Sequence, residues 1–168
     1  LTAWFKGNQG VIGTTTVSGW SDQSGTTNFA ANTPSQTTAS LQPSYNTTST
    51  LFNFNPYITF SGLNNSFLFT PSPISTSTVN LRDVAGKKAS VYVVARSQDS
   101  NDGVFFDHGG DGNDNFILTN TRGTVGSGSD VFIPTVSRTN DLVIYSMNRP
   151  GSNVGYIYIN GKGVISGA

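Results

Sequence analysis

The sequence contains no cysteine and no glutamate, and it has a single histidine and a single methionine. The lack of cysteine excludes disulfides, thiol nucleophiles and cysteine-ligated zinc sites. Strong helix formers are scarce, since glutamate is missing while 19 glycines and 7 prolines are present. No segment repeats apolar residues at the three-to-four spacing of an amphipathic helix. The composition therefore predicts a protein almost without helices.

Charge is also scarce, because Lys, Arg, Asp and Glu together make up only 11% of the chain. Nine basic residues balance nine acids, all of them Asp. This balance gives no basic surface for nucleic acid or an anionic membrane, so neither is an expected partner. No apolar run is long enough for a transmembrane helix or forms a secretory signal, and no membrane insertion is expected. Because the chain begins at Leu1 rather than Met, we expect a processed protein or an excised fragment.

Polar, uncharged residues dominate: 42 of the 168 residues are Ser or Thr. A chain that is rich in Ser, Thr and Asn, poor in charge and free of cysteine is typical of bacterial exported or cell-surface proteins. We therefore predict a secreted or surface location. By its length the chain is expected to be one domain, residues 1–168.

Short apolar or alternating runs separated by turn residues predict an all-β, antiparallel sandwich of about ten to twelve strands. The longest such run, 88–96, is predicted to be a central strand with both faces covered. Residues 142–147 form the next best core strand. Asn160-Gly161 predicts a tight hairpin, because both residues tolerate positive φ. The polar stretch 26–50 is predicted to be a long loop that packs over a sheet edge.

Five segments in order along the chain carry a resemblance to a known family: 3–6 (AWFK), 20–25 (WSDQSG), 58–62 (ITFSG), the run 88–96, and 158–162 (YINGK). Together they resemble the concanavalin A-like, laminin G-like jelly roll of secreted surface proteins from Bacteroidetes-type bacteria. The resemblance implies a two-sheet β-sandwich of jelly-roll type. It also implies a non-catalytic adhesion or carbohydrate-binding module whose partner is a glycan or another cell-surface ligand.

Members of this family usually continue past the Asn-Gly hairpin with strands that complete the sandwich. The sandwich is therefore expected to lack its last strands. An alternative function follows, in which the domain is a structural module of a fibre or secreted assembly and another chain completes its open edge.

Catalysis is not expected. Glycosidases with this fold use two Glu on one strand, and this chain has none. His108 lies in a His-Gly-Gly turn, and no Gly-x-Ser-x-Gly elbow accompanies it, so a Ser-His-Asp triad is not indicated. A glycoside hydrolase or a lyase remains the least favoured alternative.

Calcium is one hypothesis for the acidic region 99–115, which holds five of the nine Asp residues. Asp and Asn oxygens alternate there as in a calcium loop, although the Glu that closes an EF-hand is missing. The other hypothesis is a polar β-hairpin whose Asp, Asn and Gly supply turn geometry. Asp22 joins the calcium set through the resemblance alone, and an Asx-turn at Ser24-Gly25 is the favoured role for it. The candidate calcium ligands are Asp22, Asp107, Asp111, Asn113 and Asn115.

Glycan binding needs an exposed aromatic platform with polar side chains nearby. Two tyrosines that flank polar loops, and two arginines that border Gly/Ser-rich loops, are the ligand-binding candidates: Tyr45, Tyr57, Arg122 and Arg138. Trp4 and Trp20 are instead expected in the core. Tyr156 and Tyr158 share one face of a strand, where they form either a surface stripe or a packed cross-strand ladder.

Overall fold

The structure is a computed structural model that describes residues 3–25, 33–62, 65–69, 88–97, 104–108, 115–120, 122–126, 129–132, 141–150 and 156–166. Within these ranges the chain forms twelve β-strands and two short 3₁₀ helices, and every strand pair in its sheets is antiparallel. The all-β, antiparallel prediction is confirmed. No helix in the described ranges has the length and apolar character needed to cross a bilayer. The chain divides into two compact units, Leu1–Asn80 and Leu81–Ala168.

In its described residues the first unit contains two small antiparallel strand pairs and two 3₁₀ turns. Strand β1 (Val11–Ile12) pairs with β2 (Gly19–Trp20), and β3 (Ser44–Asn46) pairs with β4 (Tyr57–Thr59). The 3₁₀ turns are Ala39–Leu41 and Thr50–Phe52. Val17 and Pro43 are fully buried, and the Val17 amide donates to the Pro43 carbonyl at 2.8 Å. This contact ties the segment before β2 to the segment before β3.

Two sequence-based expectations for this unit are wrong. The stretch 26–50 was expected to be loop, but it includes β3, whose Tyr45 pairs with Ile58 of β4. Conversely, residues 66–69, whose phenylalanines and leucine predict a strand that returns beside 57–60, form only an isolated bridge between Ser35 and Phe69. Strand formation here depends on a partner segment, and alternation within one short segment does not reveal whether that partner exists.

The second unit contains two four-stranded sheets. The first, called the tyrosine sheet, has the strand order β12-β11-β10-β5; its strands are β5 (Lys88–Ala95), β10 (Val143–Pro150), β11 (Tyr156–Ile159) and β12 (Lys162–Ser166). The second, called the meander sheet, runs β6-β7-β8-β9 in chain order; its strands are β6 (Val104–His108), β7 (Asn115–Thr119), β8 (Arg122–Gly126) and β9 (Ser129–Phe132). Strand β8 was not predicted, because its sequence is rich in glycine.

The two sheets of this unit share one hydrophobic core. Its fully buried members are Val143, Tyr145 and Met147 of β10, Ile157 of β11 and Leu118 of β7. The Tyr145 ring lies 4.7 Å from that of Phe105 on β6, and burial raises the pKa of the Tyr145 phenol. At Gly123 of β8 a Cβ would stand 2.6 Å from Met147 Sδ. Glycine at this position therefore permits the close approach of the sheets.

The predicted strand at 88–96 is present, but its predicted central position is wrong. In the described part of the chain β5 is the last strand of its sheet, and one of its faces is exposed: Tyr92 is 70% and Val94 59% accessible. Strand β10 is instead one of the two central strands of the sheet and is largely buried, although its sequence includes the polar residues Ser146 and Asn148. An unbroken apolar run does not distinguish a strand covered on both faces from an edge strand with apolar residues on its outer face.

The predicted Asn-Gly hairpin is confirmed. Asn160 and Gly161 have φ values of 50° and 76°, and Ile159 pairs with Lys162 across the turn. The hairpin predicted around the acidic region is also present. It consists of the antiparallel strands β6 and β7, and His108 pairs with Phe116 in their backbone register. The residues that join these two strands, 109–114, lie outside the described ranges.

Candidate functional site

A row of tyrosine, serine and tyrosine crosses the tyrosine sheet. Ser146 of β10 pairs directly with Tyr92 of β5 on one side and with Tyr158 of β11 on the other. Directly paired residues of antiparallel strands project from the same face. Two strand spacings separate the tyrosines, so their Cβ atoms are about 10 Å apart.

A second row lies beside the first on the same face. Asn148 of β10 pairs with Ser90 of β5 and with Tyr156 of β11. The three tyrosines of the two rows, with the serine and the asparagine between them, are called the tyrosine face: Tyr92, Tyr156, Tyr158, Ser146 and Asn148.

The alternation of side chains along each strand places these residues away from the core. Met147 and Ile157 are fully buried against the meander sheet, and Val91 and Val93 pack against the same core. The intervening residues must therefore lie on the opposite face. Tyr156 and Tyr158 are partly buried there.

The tyrosine face combines aromatic rings with neutral hydrogen-bonding groups. Tyr92 is strongly exposed, whereas Ser146 between the two rings is only 7% accessible. Asn148 Oδ1 is buried and has no hydrogen-bond partner within the described residues. Tyrosine supplies a large apolar surface together with a polar hydroxyl, which suits a ligand that has both apolar faces and hydroxyl groups.

A second aromatic cluster lies in the first unit around Trp4. Its indole is 48% accessible, and Lys6 Nζ lies 4.1 Å from the ring centroid. Trp20 is partly buried; its Nε1 donates to the Lys6 carbonyl at 2.8 Å, and its ring packs 5.5 Å from Phe5. The expectation that Trp4 is a core residue is therefore wrong. A cation already occupies one face of this indole, which makes it a less open platform than Tyr92.

Asp22 organises the segment beside Trp4. Its Oδ1 accepts hydrogen bonds from the Trp4 amide at 2.6 Å and the Ser24 amide at 3.0 Å, and its Oδ2 accepts from the Ser24 hydroxyl. The bond to the Ser24 amide is the Asx-turn that the sequence favoured. Burial alone raises the pKa of Asp22, but the hydrogen bonds from Ser24, Trp4 and Gln23 outweigh it and the pKa is lowered overall.

The candidate calcium ligands are distributed over both units. Asp22 belongs to the first unit. Asp107 lies in β6 of the second unit, and Asn115 is the first residue of β7 in the same unit. The side chains of the latter two, and the whole of Asp111 and Asn113, lie outside what the structure describes. Among the described residues no group of three or more His or Asp gathers as a metal site would require. Calcium binding stays a prediction.

The structure describes the side chains of two of the four predicted ligand-binding residues, Tyr45 and Tyr57. Tyr45 and Tyr57 lie on the paired strands β3 and β4, but Tyr45 faces Ile58 and Tyr57 faces Asn46, so their side chains project from opposite faces. The Tyr57 ring stacks on Phe52 at 5.0 Å. Arg122 is the first residue of β8, but its side chain is not among the described parts of the structure. The whole of Arg138 also lies outside the described residues. Their binding role stays a prediction.

Sequence reasoning missed the two residues at the centre of the tyrosine face, Tyr92 and Ser146. Tyr92 was assigned to a buried strand, and Ser146 was treated as part of a core strand. The alternation in 88–95 could have indicated an exposed face, but only the strand register brings Tyr92, Ser146 and Tyr158 into one row.

Comparison of the chain with protein-family models, with curated proteins and with solved structures finds no match.

Proposed function

We propose that this chain is a non-catalytic carbohydrate-binding or adhesion module of an exported bacterial surface protein. The tyrosine face is the observation that carries the proposal. Tyr92 and Tyr158 lie two strand spacings apart in one row of the sheet, which places their Cβ atoms about 10 Å apart. Sites built on strands hold their side chains more firmly than sites on loops.

The proposed fold is the laminin G-like jelly roll, a two-sheet sandwich extending over residues 1–168. Two four-stranded antiparallel sheets around a common core in the second unit support this proposal. The arrangement is the usual solution for sheets that are apolar on one face.

The proposed ligand is an uncharged glycan. Sugar rings have apolar faces that pack on aromatic rings, and they have hydroxyls that exchange hydrogen bonds with phenol, serine and amide groups. The tyrosine face presents the ring and hydroxyl of the strongly exposed Tyr92, together with the partly buried Tyr156 and Tyr158. None of its five residues is Lys, Arg, Asp or Glu. A charged polysaccharide would gain no ion pair with these five residues.

Affinity electrophoresis and pull-down with a panel of neutral and acidic polysaccharides test the proposal. We expect Tyr92→Ala and Tyr158→Ala each to weaken binding of a neutral polysaccharide by about tenfold or more, the range of a lost aromatic contact. Phe54→Ala, which removes an aromatic side chain that is as exposed as Tyr92 but lies in the other unit, is the matched control and should retain binding.

Two results would overturn the assignment. Equal binding by the parent and the Tyr92→Ala/Tyr158→Ala double variant would exclude the tyrosine face as the glycan site. If Tyr45→Ala or Tyr57→Ala abolished binding instead, the site would lie on the β3–β4 hairpin. If the protein bound no polysaccharide of the panel and did not adhere to cells or surfaces, the proposed carbohydrate-binding or adhesion function would be rejected.

A further inference from the structure

The first of the two rows on the tyrosine face, which consists of Tyr92, Ser146 and Tyr158, is called the tyrosine row. It begins on β5, passes over β10 and reaches β11. A ligand that contacts both tyrosines must therefore lie across the strands. One sugar advances an extended glycan by about one strand spacing, and the two tyrosines are two spacings apart, so a disaccharide is too short to cover both rings.

A glycine on the neighbouring strand supports the Tyr158 ring at one end of this row. Gly163 of β12 pairs with Tyr158, and the Cβ that it lacks would stand 3.6 Å from Tyr158 Cε1 and 3.8 Å from Tyr158 Cδ1. Because directly paired residues project from the same face, the ring leans over the bare backbone of β12. The contact contributes to the partial burial of Tyr158. The ring is therefore held on the sheet as a platform.

The middle of the tyrosine row carries a small side chain. Ser146 is only 7% accessible, whereas Tyr92 at the β5 end is 70% accessible. A linear chain can therefore pass from one ring to the other over Ser146 without meeting a bulky group of β10. An aromatic ring at each end with a small polar residue between them is the form that a linear ligand requires.

The twist of the sheet determines which form of a linear glycan fits this row. Strand β10 lies between β5 and β11. Neighbouring strands are rotated by about 20–25° relative to each other, so β5 and β11 are expected to differ by about 40–50°. Rings carried by strands that are rotated this far do not lie in one plane. A flat crystalline face of packed chains would contact one ring only, whereas a single chain can twist about its own axis and follow both.

We infer that the ligand of the tyrosine face is a single extended chain of a soluble, neutral, β-linked polysaccharide, an inference that rests on the proposed function. The chain lies along the tyrosine row, and at least three consecutive sugars take part. Alternate sugars of such a chain present the same apolar face to the protein, and these faces pack on Tyr92 and Tyr158. The hydroxyls at the edges of the sugars bond with polar groups of the protein or with water.

Chain length gives the first test. The probes are oligosaccharides of two to six sugars released from glucomannan, and isothermal titration calorimetry measures their affinity. We expect the parent to bind the tetrasaccharide at least tenfold more tightly than the disaccharide, because only the longer chain contacts both rings. An affinity that does not rise between two and four sugars would overturn the inference.

Variants of the row show whether the length dependence comes from the two rings. Tyr92→Ala and Tyr158→Ala should each reduce the ratio of the two affinities to below threefold, whereas Tyr92→Phe keeps the ring and should keep the ratio. Tyr156→Ala, which removes a tyrosine from the other row of the same face, is the matched control and should also keep the ratio. A tenfold ratio that persists in both alanine variants, or that only Tyr156→Ala removes, would contradict the assignment to the tyrosine row.

The physical form of the polysaccharide gives the third test. Soluble glucomannan should retard the protein in affinity electrophoresis, and crystalline cellulose should not deplete it from solution. Amylose should not retard it, because a helical chain turns away from a straight row. Stronger binding to crystalline cellulose than to glucomannan, or equal retardation by amylose, would overturn the inference. If only a compact neutral glycan binds through Tyr92 and Tyr158, this inference fails and the proposed function stands; if no polysaccharide binds, the inference and the proposed glycan site are both rejected.

Discussion

Ile144 and Asn160 are joined by two hydrogen bonds across the tyrosine sheet. The Asn160 amide donates to the Ile144 carbonyl, and the Ile144 amide donates to Asn160 Oδ1, both at 2.9 Å. Asn160 also forms the turn between β11 and β12 with a φ of 50°. One side chain therefore fixes the hairpin turn and attaches it to the central strand of the sheet.

This double role predicts an ordered series of variants at Asn160. Asn160→Gly keeps the positive φ and loses the side-chain bond, so the free energy of unfolding should fall by about 1 kcal/mol. Asn160→Ala loses the bond and also strains the turn, so it should cost about 2 kcal/mol. Urea denaturation measures both values. If Ala is no worse than Gly, the left-handed conformation is not a constraint at this position.

Gly123 is predicted to be intolerant of a side chain. A Cβ there would meet Met147 Sδ at 2.6 Å and Ile157 Cδ1 at 2.8 Å, inside the shared core. Gly123→Ala should therefore destabilise the protein by about 1–3 kcal/mol, as overpacked cores do. Gly163→Ala on β12, where the nearest atom is 3.6 Å away, is the control. Thermal or urea unfolding in which both variants resemble the parent would contradict the close approach of the sheets.

Asp22 predicts a loss of stability in acid. Its pKa is lowered in the folded protein, because the hydrogen bonds from Ser24 and Trp4 outweigh the effect of burial. The carboxylate therefore contributes stability above the unfolded-state pKa, and this contribution disappears as the pH falls through the folded-state pKa. We expect Asp22→Asn to be less stable than the parent at neutral pH, with the difference shrinking as the pH falls below the unfolded-state pKa of about 4. A difference that is constant with pH in urea titrations would contradict this account.

Calcium binding predicts a response to chelator. If an ion held by the acidic region contributes a few kcal/mol, EDTA should lower the Tm by several degrees and added calcium should restore it. Asp111→Asn should abolish the response, whereas Asp141→Asn, outside the candidate set, should retain it. A Tm that EDTA does not change would leave the polar hairpin as the account of this region.

Several elements could be predicted from local sequence because local chemistry determines them. The Asn160-Gly161 turn follows from the ability of these two residues to adopt positive φ. The Asx-turn at Asp22 follows from a carboxylate two residues before an available amide. The strands predicted at 88–96 and 142–147 follow from their β-branched and aromatic residues.

Other features depended on partners distant in the chain. Tyr45 belongs to a strand only because Ile58 pairs with it, so the stretch 26–50 resembled a loop. Tyr92 is exposed because β5 has a neighbour on one side in the described structure. The tyrosine face was not predicted, because Tyr92, Ser146 and Tyr158 become neighbours only when β5, β10 and β11 pair.

The amino-acid sequence alone determined that this protein is built of antiparallel strands, because scarce helix formers and alternating short runs leave the backbone no other regular pairing. Tertiary structure decided which strand is central and which face of each strand is exposed. Those properties depend on register, and a shift of one residue exchanges the two faces of a strand without any change in its composition.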